Sequence, residues 1–472
     1  MQNLRSILKL VQYPKAYYRL ALPQAIGGCI KLMAGIKLND KHLPFGYEYG
    51  YLCFRVLTIV LGVCILQRSD RLDASIEVME EDTPMNPQHD IMQHLGHHVS
   101  SGILDELRDK HQGCIDSILG WARGQSPLVV TSDIELLFTM LWEDRKIFFK
   151  ALRSTYYPGI ASVVFVLWQT IRRDQNAATN KFRLTVLSEI SLRYNLLATS
   201  DQQHAVSYMN IDLISRKYLS VWEANLKHVD LEDCREVISA YIDRFKPPHP
   251  ILYDHMRVLN GPIILRSLAQ YVIAGTEDLL PAVLAVTVKC IWEEMKEPSE
   301  EYKPDVFVDA IRDTFANYAL ILQNRVFRQM NHDSVREFVN VIIKYDLLDL
   351  AARAILMLEL PSEPPVHALA GSVDYLPRLK LFYSQTCVSL PTEHMYTIWD
   401  NLFPEWFKFR SYLVWYPEIR HLGPKDRYQV HEKSHFSCQY ARCHDPLGMG
   451  GIEFTCPACH DGAYCSARCQ SL

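Results

Sequence analysis

The chain has 472 residues, 49 % apolar and 22 % charged, which is the balance of a folded globular protein with room for roughly two to four domains. Its net charge of −5 and pI near 6.4 exclude a chain-wide basic excess of the kind that gathers nucleic acid or an anionic membrane.

The start, MQNLRSILKLVQYPK, lacks the long apolar run and small-residue cleavage site of a secretory signal. It carries Arg5, Lys9, Lys15 and Arg19, with no acid before Asp40. A basic, acid-free, amphipathic start is also the pattern of a mitochondrial presequence. Its shortage of serine and its continuation into further helix place that reading second to an intracellular protein of cytoplasm or nucleus. The most apolar stretch, Val56 to Leu66, falls short of the ~20 residues that span a bilayer, and Arg55 and Arg68 bracket it. A buried core helix, and no membrane partner, is the expectation.

Met79 to Gln93, with Glu80, Glu81, Asp82, Pro84 and Pro87, reads as a polar loop. His94, His97 and His98 have metal-like spacing but read as a solvated helix end. Ser132-Asp-Ile-Glu135 has the form of a capping box, in which side chains satisfy the first free N–H groups of a helix. Ile134, Leu137, Phe138 and Leu141 then recur at helical spacing. Ser334 to Glu337 repeats the device ahead of Val335, Phe338, Val339, Ile342 and Ile343. Val306, Phe307, Ile311, Phe315, Tyr318 and Ala319 form another amphipathic run. Asn260-Gly261-Pro262 reads as a break between helices. Lys246 to Pro250, Pro298 to Pro304 and Pro361 to Pro365 interrupt periodic segments in the same way. The aromatic cluster from Trp406 to Tyr428 could bind a ligand but reads rather as packing for the last helices.

These signals predict an all-α fold: an irregular helical array or solenoid-like body over residues 1–425, with a compact bundle pair as the alternative. Sub-boundaries fall near 80–93, 246–250 and 361–365. A small zinc-stabilised module follows over 431–472.

Six of the thirteen cysteines lie in that module: Cys438, Cys443, Cys456, Cys459, Cys465 and Cys469. They form C-x4-C, C-x2-C and C-x3-C pairs. Turn-length spacing brings two thiolates of a pair to one metal, and two pairs complete a tetrahedral zinc site. The other seven, among them Cys29, Cys53, Cys64, Cys114, Cys234, Cys290 and Cys387, are scattered and read as reduced core residues, as in a reducing compartment. Phe436, Ile452, Phe454 and Tyr464 offer the module only a minimal apolar core, so its folding would depend on metal. Cys456-Pro-Ala-Cys459-His460 also spells the attachment motif of c-type haem, against which the flanking cysteines argue.

The full string, Cys438-x4-Cys443-x12-Cys456-x2-Cys459-x4-Tyr464-Cys465-x3-Cys469-Gln470, resembles the MYND-type zinc finger, and the Tyr464 to Gln470 segment is its most specific part. The resemblance covers about the last 35 residues. The helical body is also similar to uncharacterised fungal proteins that end in such a finger. The resemblance implies two zinc sites in crossed order. Cys438, Cys443, Cys465 and Cys469 would hold one zinc completely. Cys456 and Cys459 would hold the second with a later His and Cys, which do not follow before Leu472, so that site is expected to be incomplete and the finger truncated. His431, His435, His444 and His460 are the nearby substitutes. A site of four thiolates leaves no open position for chemistry, so the first zinc would be structural.

MYND fingers dock short proline-containing peptides, and Gln470 matches a Gln that lines the family's groove, whereas the usual downstream Trp is missing. A non-enzymatic interaction protein with a protein or peptide partner is the leading expectation. One alternative is the SET-type lysine methyltransferase that accompanies some MYND fingers. Asn331 to Ser334 only faintly echoes its Asn-His-Ser string, and the body reads helical where SET is strand-rich. Another is a nucleic-acid-binding transcriptional regulator. Within 431–472, however, Lys433, Arg442 and Arg468 are outnumbered by Glu432, Asp445, Glu453 and Asp461, a poor balance for phosphate. No nucleotide-binding, metalloprotease or hydrolase motif is present in the chain.

Overall fold

The computed structural model describes residues 1–82, 91–108, 112–155, 159–174, 177–215, 229–247, 256–296, 304–323 and 332–356, with two short strands at 454–455 and 463–464. Of these residues 81 % are helical, which bears out the all-α expectation. The chain forms two compact units: Met1–Val229 with Lys246–His255, and Asp230–Phe245 with Met256–Leu472.

The first unit is organised by its most apolar segment. Helices α1 (Gln2–Leu10), α2 (Tyr17–Leu20) and α3 (Pro23–Ala34) lead to a two-stranded hairpin, β1 (Lys37–Leu38) and β2 (Lys41–His42). Helix α4 (Glu48–Arg68) follows. It is apolar on every side, and a helix of that kind must be enclosed. Helices α1, α2 and α3 pack on it, as do α5 (Leu72–Asp82), α6 (Ile91–Arg108), α7 (Gln112–Ile118) and α10 (Ala161–Arg173). Helix α4 has the length and composition of a membrane span, but 83 % of its most apolar window is buried by its neighbours. Gly62 lets α6 approach closely, since a Cβ there would lie 2.9 Å from Val99 Cγ2. The rest of the unit is α8 (Thr131–Glu143), α9 (Arg145–Thr155), α11 (Ala177–Leu197) and α12 (Ser200–Ser215), with α8 lying on α3 and α11, and α12 on α6. Helices distant in sequence thus meet around one central helix, rather than each stacking on its nearest neighbour.

The second unit contains α13 (Leu231–Arg244), α14 (Gly261–Leu268), α15 (Leu280–Lys296), α16 (Pro304–Gln323), α17 (His332–Lys344) and α18 (Leu347–Leu356). Asp230 caps α13 by accepting the Asp233 N–H at 2.9 Å. Helix α14 packs on α16, and α15 on α17. Several buried polar groups in this unit pair with one another or with backbone. The hydroxyls of Tyr241 and Thr287 lie 2.8 Å apart, Tyr318 donates to Val283 O, and Asn317 donates to Pro262 O.

The periodic runs read from the sequence are buried as expected: Ile134, Leu137, Phe138 and Leu141, then Phe307, Ile311, Phe315, Tyr318 and Ala319, then Val335, Phe338, Val339 and Ile342. Val306, 45 % exposed, and Ile343, half-buried, are the exceptions. Asn260-Gly261 marks a helix break, because α14 starts at Gly261 with Pro262 in its first turn.

Three expectations are corrected. Helix α8 begins at Thr131 behind Val130, with no side-chain cap, so Ser132 does not cap it. Glu135 is drawn instead into a two-pronged contact with Arg183 of α11, which also binds Asp174. Helix α17 begins at His332, which places Ser334 inside its first turn rather than at its cap. The polar loop expected from Met79 begins later, because α5 continues to Asp82 and Met79 is 1 % exposed in the core. Residues 83–90, the Pro361 to Pro365 break and the Trp406 to Tyr428 cluster lie outside the described residues.

Candidate metal centre

Of the module at 431–472, the described part is one hairpin. Strands β3 (Phe454–Thr455) and β4 (Ala463–Tyr464) pair antiparallel, with Phe454 opposite Tyr464 and Thr455 opposite Ala463. In sequence, this pairing brackets the middle of the cysteine string. The seven residues between the strands contain Cys456 and Cys459, and the residue after β4 is Cys465. A hairpin is the common scaffold for presenting paired thiolates, because its loop and its trailing strand end supply two turn-length positions. Cys438, Cys443, Cys456, Cys459, Cys465, Cys469 and Gln470 themselves lie outside the described residues, as do the four nearby histidines.

Among the described residues, no group of three or more His, Cys, Asp or Glu side chains is placed to hold a metal ion. His94, His97 and His98 lie in the first turns of α6, where the adjacent rings of His97 and His98 are 5.7 Å apart. Cys29, Cys53, Cys64 and Cys234 are buried free thiols, and Cys290 is a half-buried one that donates to Met256 O at 3.0 Å. Burial pushes Cys29, Cys64 and Cys290 up to about 12. A thiol held that far above neutrality is neither a nucleophile nor a ready metal ligand. The expectation of reduced core cysteines holds for these residues.

Two neighbouring acids of the first unit, buried Asp144 and half-buried Glu143, have structural duties. Asp144 Oδ2 accepts the Phe45 N–H at 2.7 Å, and Glu143 Oε2 accepts the His42 N–H at the same distance. Together these two carboxylates clamp the backbone that follows β2. The ring of His42 turns the other way, with Nδ1 2.9 Å from Ala34 O. Burial raises the Asp144 carboxyl to about 6, an effect that the backbone N–H groups of Phe45 and Gly46 partly oppose. A displaced carboxyl can mark a catalytic acid; here Oδ2 is committed to backbone, while Oδ1 is buried without a hydrogen-bond partner. Sequence reasoning missed this clamp, because its two halves lie about a hundred residues apart.

Because the folded state holds the Asp144 proton more tightly than the unfolded chain, stability falls as pH rises from about 4 to about 6, and the loss is complete above that. Asp144→Asn should therefore gain on the parent across this interval. Urea denaturation at pH 4 and pH 7 checks this, and a stability difference between the two proteins that does not change with pH contradicts it.

One small cavity lies between α4, α6 and α10, walled by Thr58, Met92, Val99, Ala161 and Gln202. Its volume of about 10 Å³ suits a single water and no substrate. No protein-family profile, no curated protein and no solved structure matches the chain.

Proposed function

We propose that this chain is a non-enzymatic interaction protein, in which a helical body carries a zinc-stabilised, MYND-like finger that docks a peptide partner. The reading rests on one observation above all. Six cysteines fall at ligand spacing within 32 residues, and a β-hairpin lies among them, with one pair in its loop and another pair starting where it ends. Cys438, Cys443, Cys465 and Cys469 would hold a structural zinc, and Cys456 and Cys459 would contribute to a second site. The metal would fold the segment rather than take part in a reaction.

Gln470 would contact the peptide backbone at the finger's edge. Titrating the full chain against fluorescent proline-containing peptides should give saturable binding that zinc chelation abolishes and that Gln470→Ala weakens by about tenfold, the scale of one or two lost hydrogen bonds. Binding that survives complete removal of zinc would contradict the finger as the docking site.

A further inference from the structure

Charge is distributed unevenly along the chain. Residues 1–47 hold seven bases and a single acid, Asp40, a balance of +6 against −11 for the remainder. Arg5 and Lys15 are paired with Glu48 and Glu80. Lys9, Arg19, Lys31, Lys37 and Lys41 are exposed, and none forms an ion pair with a described residue. The same segment exposes aliphatic side chains: Leu10, Leu22, Leu32 and Leu38 are 47 to 53 % exposed. Three of these leucines directly follow an exposed lysine, in Lys9-Leu10, Lys31-Leu32 and Lys37-Leu38. Tyr13, Tyr18 and Tyr47 are exposed as well.

Part of this set lies on helix α3 and the hairpin that follows it. Helix α3 turns Ile26, Cys29, Ile30 and Met33 into the core. Gln24, Gly28, Lys31, Leu32 and Gly35 recur at helical spacing on its opposite, exposed side. The stripe starts at Leu22, runs the ~18 Å length of the helix, and leads to the β1–β2 hairpin, where Leu38 and Lys41 pair across the strands on one face and Lys37, opposite His42, is exposed as well. The hairpin is held firmly, by the two-residue turn at Asn39-Asp40 and by Glu143 binding the N–H of His42.

We propose that this face docks on the surface of an anionic lipid bilayer. Single leucines and tyrosines set among lysines suit a headgroup layer, where the apolar side chains enter the acyl boundary and the amines stay with the phosphates. A protein interface core would be depleted of lysine, and exposed leucines contribute nothing to a phosphate backbone. The chain-wide negative charge that argues against a membrane partner therefore masks a local surface of the opposite sign. This docking is independent of the zinc finger.

The test is sedimentation of the full chain with phosphatidylcholine vesicles that contain or lack 30 % phosphatidylserine. Binding should require the anionic lipid, persist after zinc chelation, and fall at least about tenfold in Lys31→Glu/Lys37→Glu/Lys41→Glu and in high salt. Leu22→Ser/Leu32→Ser/Leu38→Ser keeps every charge and should also fall severalfold. All six positions are exposed, and an unchanged thermal transition confirms that the variants fold. No binding to anionic vesicles overturns the proposal. So does binding that is indifferent to the lysines, or a chain that binds single-stranded DNA or polyglutamate while leaving vesicles alone.

Discussion

Gly50→Ala and Gly28→Ala, the same change in neighbouring helices, are expected to move stability in opposite directions. A Cβ at Gly50 would lie 2.1 Å from Pro44 O, 2.7 Å from its carbonyl carbon and 2.9 Å from its Cα. All three are backbone atoms, so no side chain can swing aside. The turn at Pro44–Gly46 cannot retreat freely either. Asp144 holds the Phe45 N–H, and the Phe45 ring packs against Phe54 and Phe148 at centroid distances of 5.2 and 4.4 Å. Either α4 or the turn must shift, and the expected loss is about 3 kcal/mol. At Gly28, on the exposed side of α3, an added Cβ meets nothing within 4 Å. There alanine should gain roughly 0.5–1 kcal/mol from the lower entropy of its unfolded chain. Chemical denaturation of both variants checks the pair, and equal effects would mean that the approach of Pro44 to α4 is wrong.

Trp168→Ala should be comparably severe. Trp168 is 1 % exposed at the centre of α10. Its Nε1–H donates to Asp212 Oδ2 at 3.1 Å, the Phe165 ring stacks beside it, and the Arg172 guanidinium lies 4.5 Å over its face. Truncation opens a large cavity and removes the indole N–H that donates to Asp212. The expected cost is about 3–5 kcal/mol, equivalent to a drop in Tm of roughly 10 °C for a unit of this size. Trp168→Phe retains most of the ring and loses the N–H, and should cost about 1–2 kcal/mol. A loss below about 1 kcal/mol for the alanine variant would contradict the packing of α10 against α12.

The helices were legible because their signal is local. A helical face repeats every three to four residues, and the faces read from Ile134, Phe307 and Val335 onward are buried in the fold. What failed was what distant residues decide. Glu135 stands three residues after Ser132, as a capping box requires, yet Arg183 of another helix takes it. Glu80 to Asp82, with Pro84 and Pro87 close behind, made the segment read as a polar loop. Burial of Ile76 and Met79 and the pairing of Glu80 with Lys15 at 3.2 Å hold it helical. The β1–β2 hairpin was missed because its turn is Asn39-Asp40 rather than the commoner Asn-Gly. Both residues adopt positive φ, 51° and 62°, which Asn and Asp tolerate better than other side chains. The proposed cysteine module is the reverse case. It is read from the spacing of its cysteines and a family resemblance, because metal ligation would leave a mark in sequence that packing does not. The β3–β4 pairing at 454–464 adds a backbone frame to that spacing.

Zinc per chain, measured by elemental analysis on purified protein beside its Cys469→Ser variant, tests the account at its centre. The account predicts one firmly held zinc in the parent, lost in the variant, because Cys469 would be one of the four thiolates of a closed structural site. A parent chain that holds no zinc would contradict it.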